Sequence, residues 1–313
     1  MIEAHHAVNQ KKLTFADFLQ ALAVILVISC VLTPQVKRLF LILAPYAAFF
    51  EKLAEYELHR ILSRVVMVVG VVYLVCMRKK LFQKDGPFVS LKGTRRDVKL
   101  FWLAFAAGVV SLVMHVVCSV WFGARALDFD GFTWYGLARK MVRGLCGAAA
   151  IGIIEEFFFR GLLFGALAKR FSVKRAVIIS SAVYACMHFF RPKDISIADE
   201  TAFWSGFAVL GQIITPFLTS EFLVESVGLF LVGSCLALGY HYTRSLYFAA
   251  GLHAGWVWVI KVDGFIVDRT IESQIKWWGS SQMVGGTLTW LLLAVILLLI
   301  HLTLSPRRSV HNG

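Results

Sequence analysis

What most limits the fold of this chain is a succession of apolar runs, several of them close to the roughly 20 residues a helix needs to cross hydrocarbon. They fall at about Phe15–Leu32, Ile61–Met77, 100–121, Val142–Ala168, 176–190, 202–219, 222–242, 246–262 and 284–304. The 313 residues are 58% hydrophobic and 16% charged, too apolar and too sparsely charged for a water-soluble domain of this length. In lipid, each segment must satisfy its own backbone hydrogen bonds, so apolar runs of this length fold as helices. The expected architecture is all-α: a polytopic transmembrane helical bundle of about eight spans.

The formal net charge of +13 does not point to nucleic acid. Basic residues gather in short loops beside apolar runs, as in Arg78-Lys79-Lys80 and Arg95-Arg96, the pattern of cytoplasmic loops lying against anionic lipid. Segment 78–98, with Lys84 and Lys92 also in it, is therefore expected on the cytoplasmic side, and the expected partner of the surface is the bilayer. Localisation is expected to be integral and multi-pass, in the cell membrane if the source is bacterial. Cys30, Cys76, Cys118, Cys146, Cys186 and Cys235 are spaced far apart, each inside an apolar helix. They read as small buried side chains, not as disulfides or a thiolate metal site.

Residues 1–13 are polar, and the run after them reads as an uncleaved first helix ended by Pro34. Leu39–Phe50, interrupted by Pro45, reads as an interfacial or re-entrant piece. His115 reads as a packed or capped histidine on its helix, and connector 122–140 as interfacial. In the central helix, Gly144, Ala148 and Gly152 recur every fourth residue and make a small-residue face for close packing. Gly228, Gly233 and Gly239 are expected to thin helix contacts, Trp256 and Trp258 to be core or belt aromatics, and His241 to snorkel at an interface. Three regions follow: residues 1–140, N-terminal helices and the basic loop; 141–262, a helical core with the reactive side chains; and 263–313, a loop, the last span and a polar tail.

The reactive side chains begin with Glu155, Glu156 and Arg160, inside a run otherwise apolar enough to cross a membrane. An ionised side chain at such depth costs about 3 kcal/mol on insertion scales, so these groups must be paired, used or both. Residues four apart share a helix face, so Glu156 and Arg160 can pair. Glu155 points about 100° away and stays available as a base. Two later helices each bring a histidine amid apolar neighbours, His188 and His253, the latter flanked by Gly251 and Gly255, which permit close approach of another backbone. Two histidines and a carboxylate converging in a membrane either hold a metal such as zinc or orient a water without one.

Glu155-Glu156-x-x-x-Arg160, Tyr184-x-x-x-His188 and His253, in that order on separate helices, resemble the CAAX prenyl protease and bacteriocin-processing (CPBP, or Abi) intramembrane proteases over roughly residues 140–260. The resemblance implies an intramembrane endopeptidase acting on a membrane-anchored or lipid-modified protein or peptide. It implies Glu155 as base for the attacking water, His188 beside it, His253 stabilising the oxyanion, and Glu156 and Arg160 in support. It implies glutamate-type catalysis with no cofactor; a zinc held by Glu155, His188 and His253 is the alternative. Two departures stand out: Tyr184 replaces the family's usual phenylalanine, and Val257 stands four residues after His253 where an asparagine is usual. Tyr184 is the candidate substitute for that amide donor. Two other readings of the same residues are a transporter or proton relay using the carboxylate pair, and a non-proteolytic relative that binds membrane peptides.

Overall fold

The structure is a computed structural model, which describes residues 15–81, 93–188, 195–214, 220–268, 270–280 and 283–305. The polar N-terminal segment, Lys84 and Lys92 of the basic loop, the stretch directly after His188, Pro216 and the Arg307-Arg308 tail lie outside these residues. Among the described residues the protein is helical, apart from one isolated antiparallel bridge between Leu127 and Val267. The order is α1 (Phe15–Leu43), α2 (Ala48–Ala54), α3 (Leu58–Leu81), α4 (Arg95–Trp121), α5 (Trp134–Glu156), a π-helical stretch (Phe157–Phe164), α6 (Gly165–Arg170), α7 (Val173–His188), α8 (Ser205–Ile214), α9 (Ser220–Thr243), α10 (Leu246–Asp263), α11 (Ile275–Trp278) and α12 (Thr287–Leu304).

By length and composition four helices can cross a membrane: Leu19–Tyr46, Arg95–Trp121, Phe222–Thr243 and Thr287–Leu304. The protein is thus an integral membrane helical bundle. The other segments counted in the expected eight are shorter or carry charge: α7 has 16 residues and α8 has 10, while α5 contains Arg139, Lys140, Arg143 and both glutamates.

The core is built on glycine. α4 and α10 run parallel, and their backbones nearly touch. A Cβ at Gly251 would lie 2.2 Å from the Phe101 carbonyl oxygen, and one at Gly255 would lie 2.4 Å from that of Phe105. α5 crosses α10 in the opposite direction, Gly144 against Trp258 and Val262, Gly152 against Ala250 and Ala254. The small-residue face on the central helix thus meets α10, and the glycines beside His253 meet α4, where van der Waals packing replaces the hydrophobic drive that lipid cannot supply. Gly228 and Gly233 likewise admit close neighbours, Val284 and Ser181. Gly251→Ala is expected to cost about 1–3 kcal/mol, since the colliding atom is backbone and cannot swing away. The check is the thermal unfolding midpoint of the detergent-solubilised protein.

Two sequence expectations about boundaries change. Pro34 does not end the first helix: α1 continues through it to Leu43. A proline frees the carbonyl four residues earlier, here Cys30. That carbonyl packs against Gly206 of α8, where a Cβ would sit 2.0 Å from its oxygen. A buried neighbour thus covers the freed group, and the helix survives. The central helix starts at Trp134, eight residues before the expected Val142, so the interfacial connector is shorter than 122–140. Trp134, Tyr135, Trp121 and Phe122 are all exposed around that connector, as an aromatic belt at a membrane boundary would be.

The cysteines are corrected in part. All six are free, but only Cys30 and Cys235 are buried; Cys76, Cys146 and Cys186 lie on the outer surface, where apolar helix faces meet lipid. His115 is buried, 3.1 Å through Nε2 from the Trp278 carbonyl oxygen, so it is a capped packing residue. Trp256 and Trp258 point their indole N–H groups at Ser111 and at the Met141 carbonyl, and Trp256 is buried. His241 is half-buried, its ring near those of Phe164 and Tyr242.

α8 follows α7 in sequence yet packs away from it, with α1 and α3 around Cys30, Leu58, Leu62, Val209 and Ile213. The buried ammonium of Lys37 fastens this layer. It donates to the carbonyls of Ala54 (2.8 Å) and Tyr56 (2.9 Å) at the end of α2 and just beyond it, and ion-pairs with Glu200, whose other oxygen accepts the Leu58 N–H at the start of α3. One ion pair thus satisfies polar groups at two helix ends.

The ends of the bundle differ in charge. Arg96 reaches the Thr243 carbonyl and Ser245 donates to Asp97, joining the start of α4 to the α9–α10 turn. Phe164 against Tyr240 brings α6 to the same end. Arg95, Arg96, Lys99, Lys169, Arg170, Lys174, Arg175 and Arg244 collect there; the far end carries Asp128, Asp130, Asp263, Asp268 and Glu272 among its cations.

Candidate functional site

The carboxylate pair ends α5, and the helix widens immediately after it into the π-helical stretch Phe157–Phe164. Such widened turns re-aim side chains without breaking the helix and recur at functional sites. The 3.6-residue pattern in the sequence carries no trace of it. Glu156 and Arg160 face each other across it: Arg160 Nη1 donates to Glu156 Oε1 at 3.0 Å, and both side chains are almost wholly buried. Nη2 of Arg160 donates to the Gly233 carbonyl of α9 at 3.1 Å. The guanidinium carbon also lies 4.7 Å from the Tyr184 ring centre, a cation–π contact in a dry setting.

Gly233 is the residue whose part here went unread. Its sequence neighbourhood, Gly233-Ser234-Cys235, pointed only to tight packing. It does pack: a Cβ there would be 3.0 Å from the Ser181 Cα, and Ser234 donates to Ser181 at 3.2 Å. That close crossing of α7 and α9 also brings the Gly233 carbonyl within reach of Arg160, one turn below Tyr184.

Glu155 and Glu156 point to different partners. Glu155 Oε2 lies 3.6 Å from His188 Nε2, with the two side chains 24% and 18% exposed. This is too long for a direct hydrogen bond, and a water bridging the two would have to enter beside an oxygen that the fold closes. Among the described residues, Oε2 of Glu155 and Oε2 of Glu156 have no hydrogen-bond partner. His188 ends α7, and its Nδ1 lies 3.1 Å from the carbonyl of Tyr184, one turn back. A carbonyl only accepts, so Nδ1 carries the proton and the Nε2 lone pair of a neutral ring faces Glu155.

His253 turns elsewhere. Its Nδ1 donates to Glu156 Oε1 at 2.8 Å, and its Nε2 lies 3.5 Å from the Tyr184 hydroxyl. The tyrosine joins the two halves: its ring centre is 4.2 Å from that of His188 and 6.2 Å from that of His253. Phe159 stands edge-on against it at 5.0 Å. The structure therefore brings Glu155, Glu156, Arg160, Tyr184, His188 and His253 into one continuous cluster. Within it Glu155 meets His188 directly, while His253 meets Glu156 and not Glu155.

That arrangement bears on a metal. Three ligands for zinc would need Nε2 of His253 turned to the space between Glu155 and His188, and instead it faces a hydroxyl. Among the described residues no group of three histidine, cysteine or carboxylate side chains is placed to hold a metal ion. The donors as oriented do not fit one.

Comparison with known proteins gives one family match: residues 137–259 match the Rce1-like family, described as type II CAAX prenyl endopeptidase Rce1-like. No curated protein and no solved structure matches the chain significantly. The matched residues run from α5 through the widened turn, α7, α8 and α9 into α10, and hold every member of the cluster. It is this segment, with its paired carboxylates, its arginine and its two histidines, that is similar to the CPBP/CAAX protease family.

Proposed function

We propose that this protein is a CAAX-type intramembrane endopeptidase that works by glutamate-activated water, with Glu155 as the base and His188 its partner, on a membrane-anchored or lipid-modified protein or peptide. The observation that carries the reading is the 3.6 Å approach of Glu155 Oε2 to His188 Nε2, on side chains that are partly exposed while those of Glu156 and Arg160 are sealed behind them. A water that enters between them donates one hydrogen to the Glu155 carboxylate and the other to the Nε2 lone pair of His188. Glu155 takes its proton as the water oxygen attacks the peptide carbonyl carbon, and the carbonyl electrons move to oxygen. When the C–N bond breaks, the same proton passes from Glu155 to the leaving amine, and the carboxylate product departs. Glu156, held through Oε1 by Arg160 and His253 and only 1% exposed, is closed to the water that such a base would have to meet.

The reading places the protein as a multi-pass chain, its basic end in the cytoplasm by the excess of cations there. It needs no metal, because the histidine that would complete a zinc site is committed to Glu156 and Tyr184.

The test is cleavage by the purified protein in detergent, using a fluorogenic peptide with S-farnesylcysteine, two aliphatic residues and a free C-terminus. A non-lipidated transmembrane peptide runs beside it. Turnover unaffected by 1,10-phenanthroline is expected. Loss of turnover on chelation, restored by zinc, overturns the metal-free part. No cleavage of either peptide, with proton flux in proteoliposomes, favours the transporter reading; peptide binding without cleavage favours the non-proteolytic one.

A further inference from the structure

Lys261 stands close to the end of α10, where that helix crosses α5. Its Cβ is 3.6 Å from where a Cβ at Gly144 would sit, and its Cε and Nζ are 3.6 and 3.9 Å from where one at Gly147 would sit. The side chain therefore runs along α5 in the direction of Glu155. A lysine near a membrane boundary ordinarily reaches outward for water; this one turns away from the acidic far end of the bundle and towards the site. It is exposed, and among the described residues its ammonium has no hydrogen bond or ion pair. The carboxylate two residues on, Asp263, is taken by Arg125 at 2.9 Å. An ammonium at membrane depth is costly unless an anion or water meets it, so its placement calls for a partner.

The register of α5 joins Lys261 to the site. Gly147, Ile151 and Glu155 recur every fourth residue and form one ridge of the helix. From Gly147 to Glu155 the axis advances about 12 Å, at 1.5 Å per residue. An extended chain advances about 3.3–3.6 Å per residue, so three residues beyond a bond held at Glu155 span about 10–11 Å. A carboxylate ending those three residues comes within ion-pairing reach of the ammonium. Resting on the endopeptidase reading above, we propose that Lys261 binds the free C-terminal carboxylate of the substrate and so sets the cut about three residues from that terminus. The departing segment lies along the ridge, its middle against Ile151. Arg143 and Lys140 follow one and two turns beyond Gly147, where only a longer tail would reach them. Lys261 touches no reacting atom; it fixes binding and register.

The test compares two peptides that differ only in their last group: S-farnesylcysteine and three further residues, ending in a free carboxylate or in a carboxamide. Wild type is expected to cleave the acid with a kcat/KM about 10–10²-fold higher, the worth of one charge-assisted hydrogen bond, carried by KM with kcat nearly unchanged. Lys261→Met is expected to raise KM for the acid to that for the amide, with the amide and the unfolding midpoint unaffected. Lys261→Arg keeps most of the preference, and Lys140→Met keeps all of it. Lengthening the acid by two residues is expected to cost wild type as much as amidation does, and to cost Lys261→Met nothing further. Equal cleavage of acid and amide by wild type, or an undiminished preference in Lys261→Met, overturns the proposal. An equal loss on both peptides, seen only in micelles that contain phosphatidylglycerol, assigns the ammonium to a lipid phosphate and overturns it too. Binding separates this inference from the reading it rests on. Glu155→Gln leaves both peptides intact, and it is expected to bind the acid at least about 10-fold more tightly than the amide, a difference lost in Glu155→Gln/Lys261→Met. If wild type cleaves neither peptide, the endopeptidase reading fails and that difference alone judges Lys261; equal binding of acid and amide overturns the proposal in either case.

Discussion

Glu155→Gln is expected to lower kcat by about 10²–10⁴-fold, the usual contribution of a positioned general base, and to leave the unfolding midpoint nearly unchanged. Both halves of that expectation come from the same geometry. Oε2 of Glu155 has no hydrogen-bond partner among the described residues, so an amide in its place breaks no bond at that oxygen. The side chain as a whole is 24% exposed, so the new NH₂ group can take the position away from the buried oxygen. The amide cannot take a proton from water at ordinary pH, so the chemistry stops while the fold stands. Glu156→Gln is the informative contrast. Its Oε1 accepts from both Arg160 and His253, and neutralising it leaves the Arg160 charge buried without a counter-ion. That variant is expected to lose stability together with activity. Kinetics and thermal unfolding on the two variants side by side separate the roles; a Glu155→Gln protein that cleaves normally removes Glu155 from the chemistry.

The second large effect is on stability. Arg160→Met is expected to destabilise the protein by about 3–5 kcal/mol, the cost of stripping one partner from a buried ion pair. Methionine fills much of the same volume, so the loss is electrostatic. Glu156 keeps its charge with only His253 beside it, and the Gly233 carbonyl and the Tyr184 ring lose their cation. Arg160→Lys is expected to recover only part, since an ammonium cannot donate to Glu156 and Gly233 with the fixed fork of a guanidinium. Unfolding midpoints in detergent, measured for both variants with the double variant Arg160→Met/Glu156→Leu, check this. The double variant removes both charges and is expected to be more stable than Arg160→Met alone. A single-variant midpoint equal to wild type would show that the pair does not hold the site.

Much of this was open to a reader of the residues alone. A charge in hydrocarbon is expensive enough that Glu155, Glu156 and Arg160 had to mean something, and a four-residue spacing was sufficient to foresee the Glu156–Arg160 pair. Glycines at four-residue intervals announced close helix crossings on α5 and α10, because only the absence of a Cβ permits them. Less was readable where distant contacts outweigh local propensity. Pro34 reads as a helix end, and only Gly206, far along the chain, shows where the freed Cys30 carbonyl goes. The cysteines read as buried because apolar sequence does not say whether a face meets protein or lipid.

What the order of residues determined, then, was an all-helical membrane bundle and the set of side chains that gather into its polar cluster, since burial cost and helical period act locally. Which partner each one takes was decided in three dimensions. The widened turn after Glu156, the Gly233 carbonyl brought in by the α7–α9 crossing, and the turning of His253 to Glu156 and Tyr184 each depend on helices far apart in sequence. Hydrogen-bond direction and distance exist only after those helices have packed.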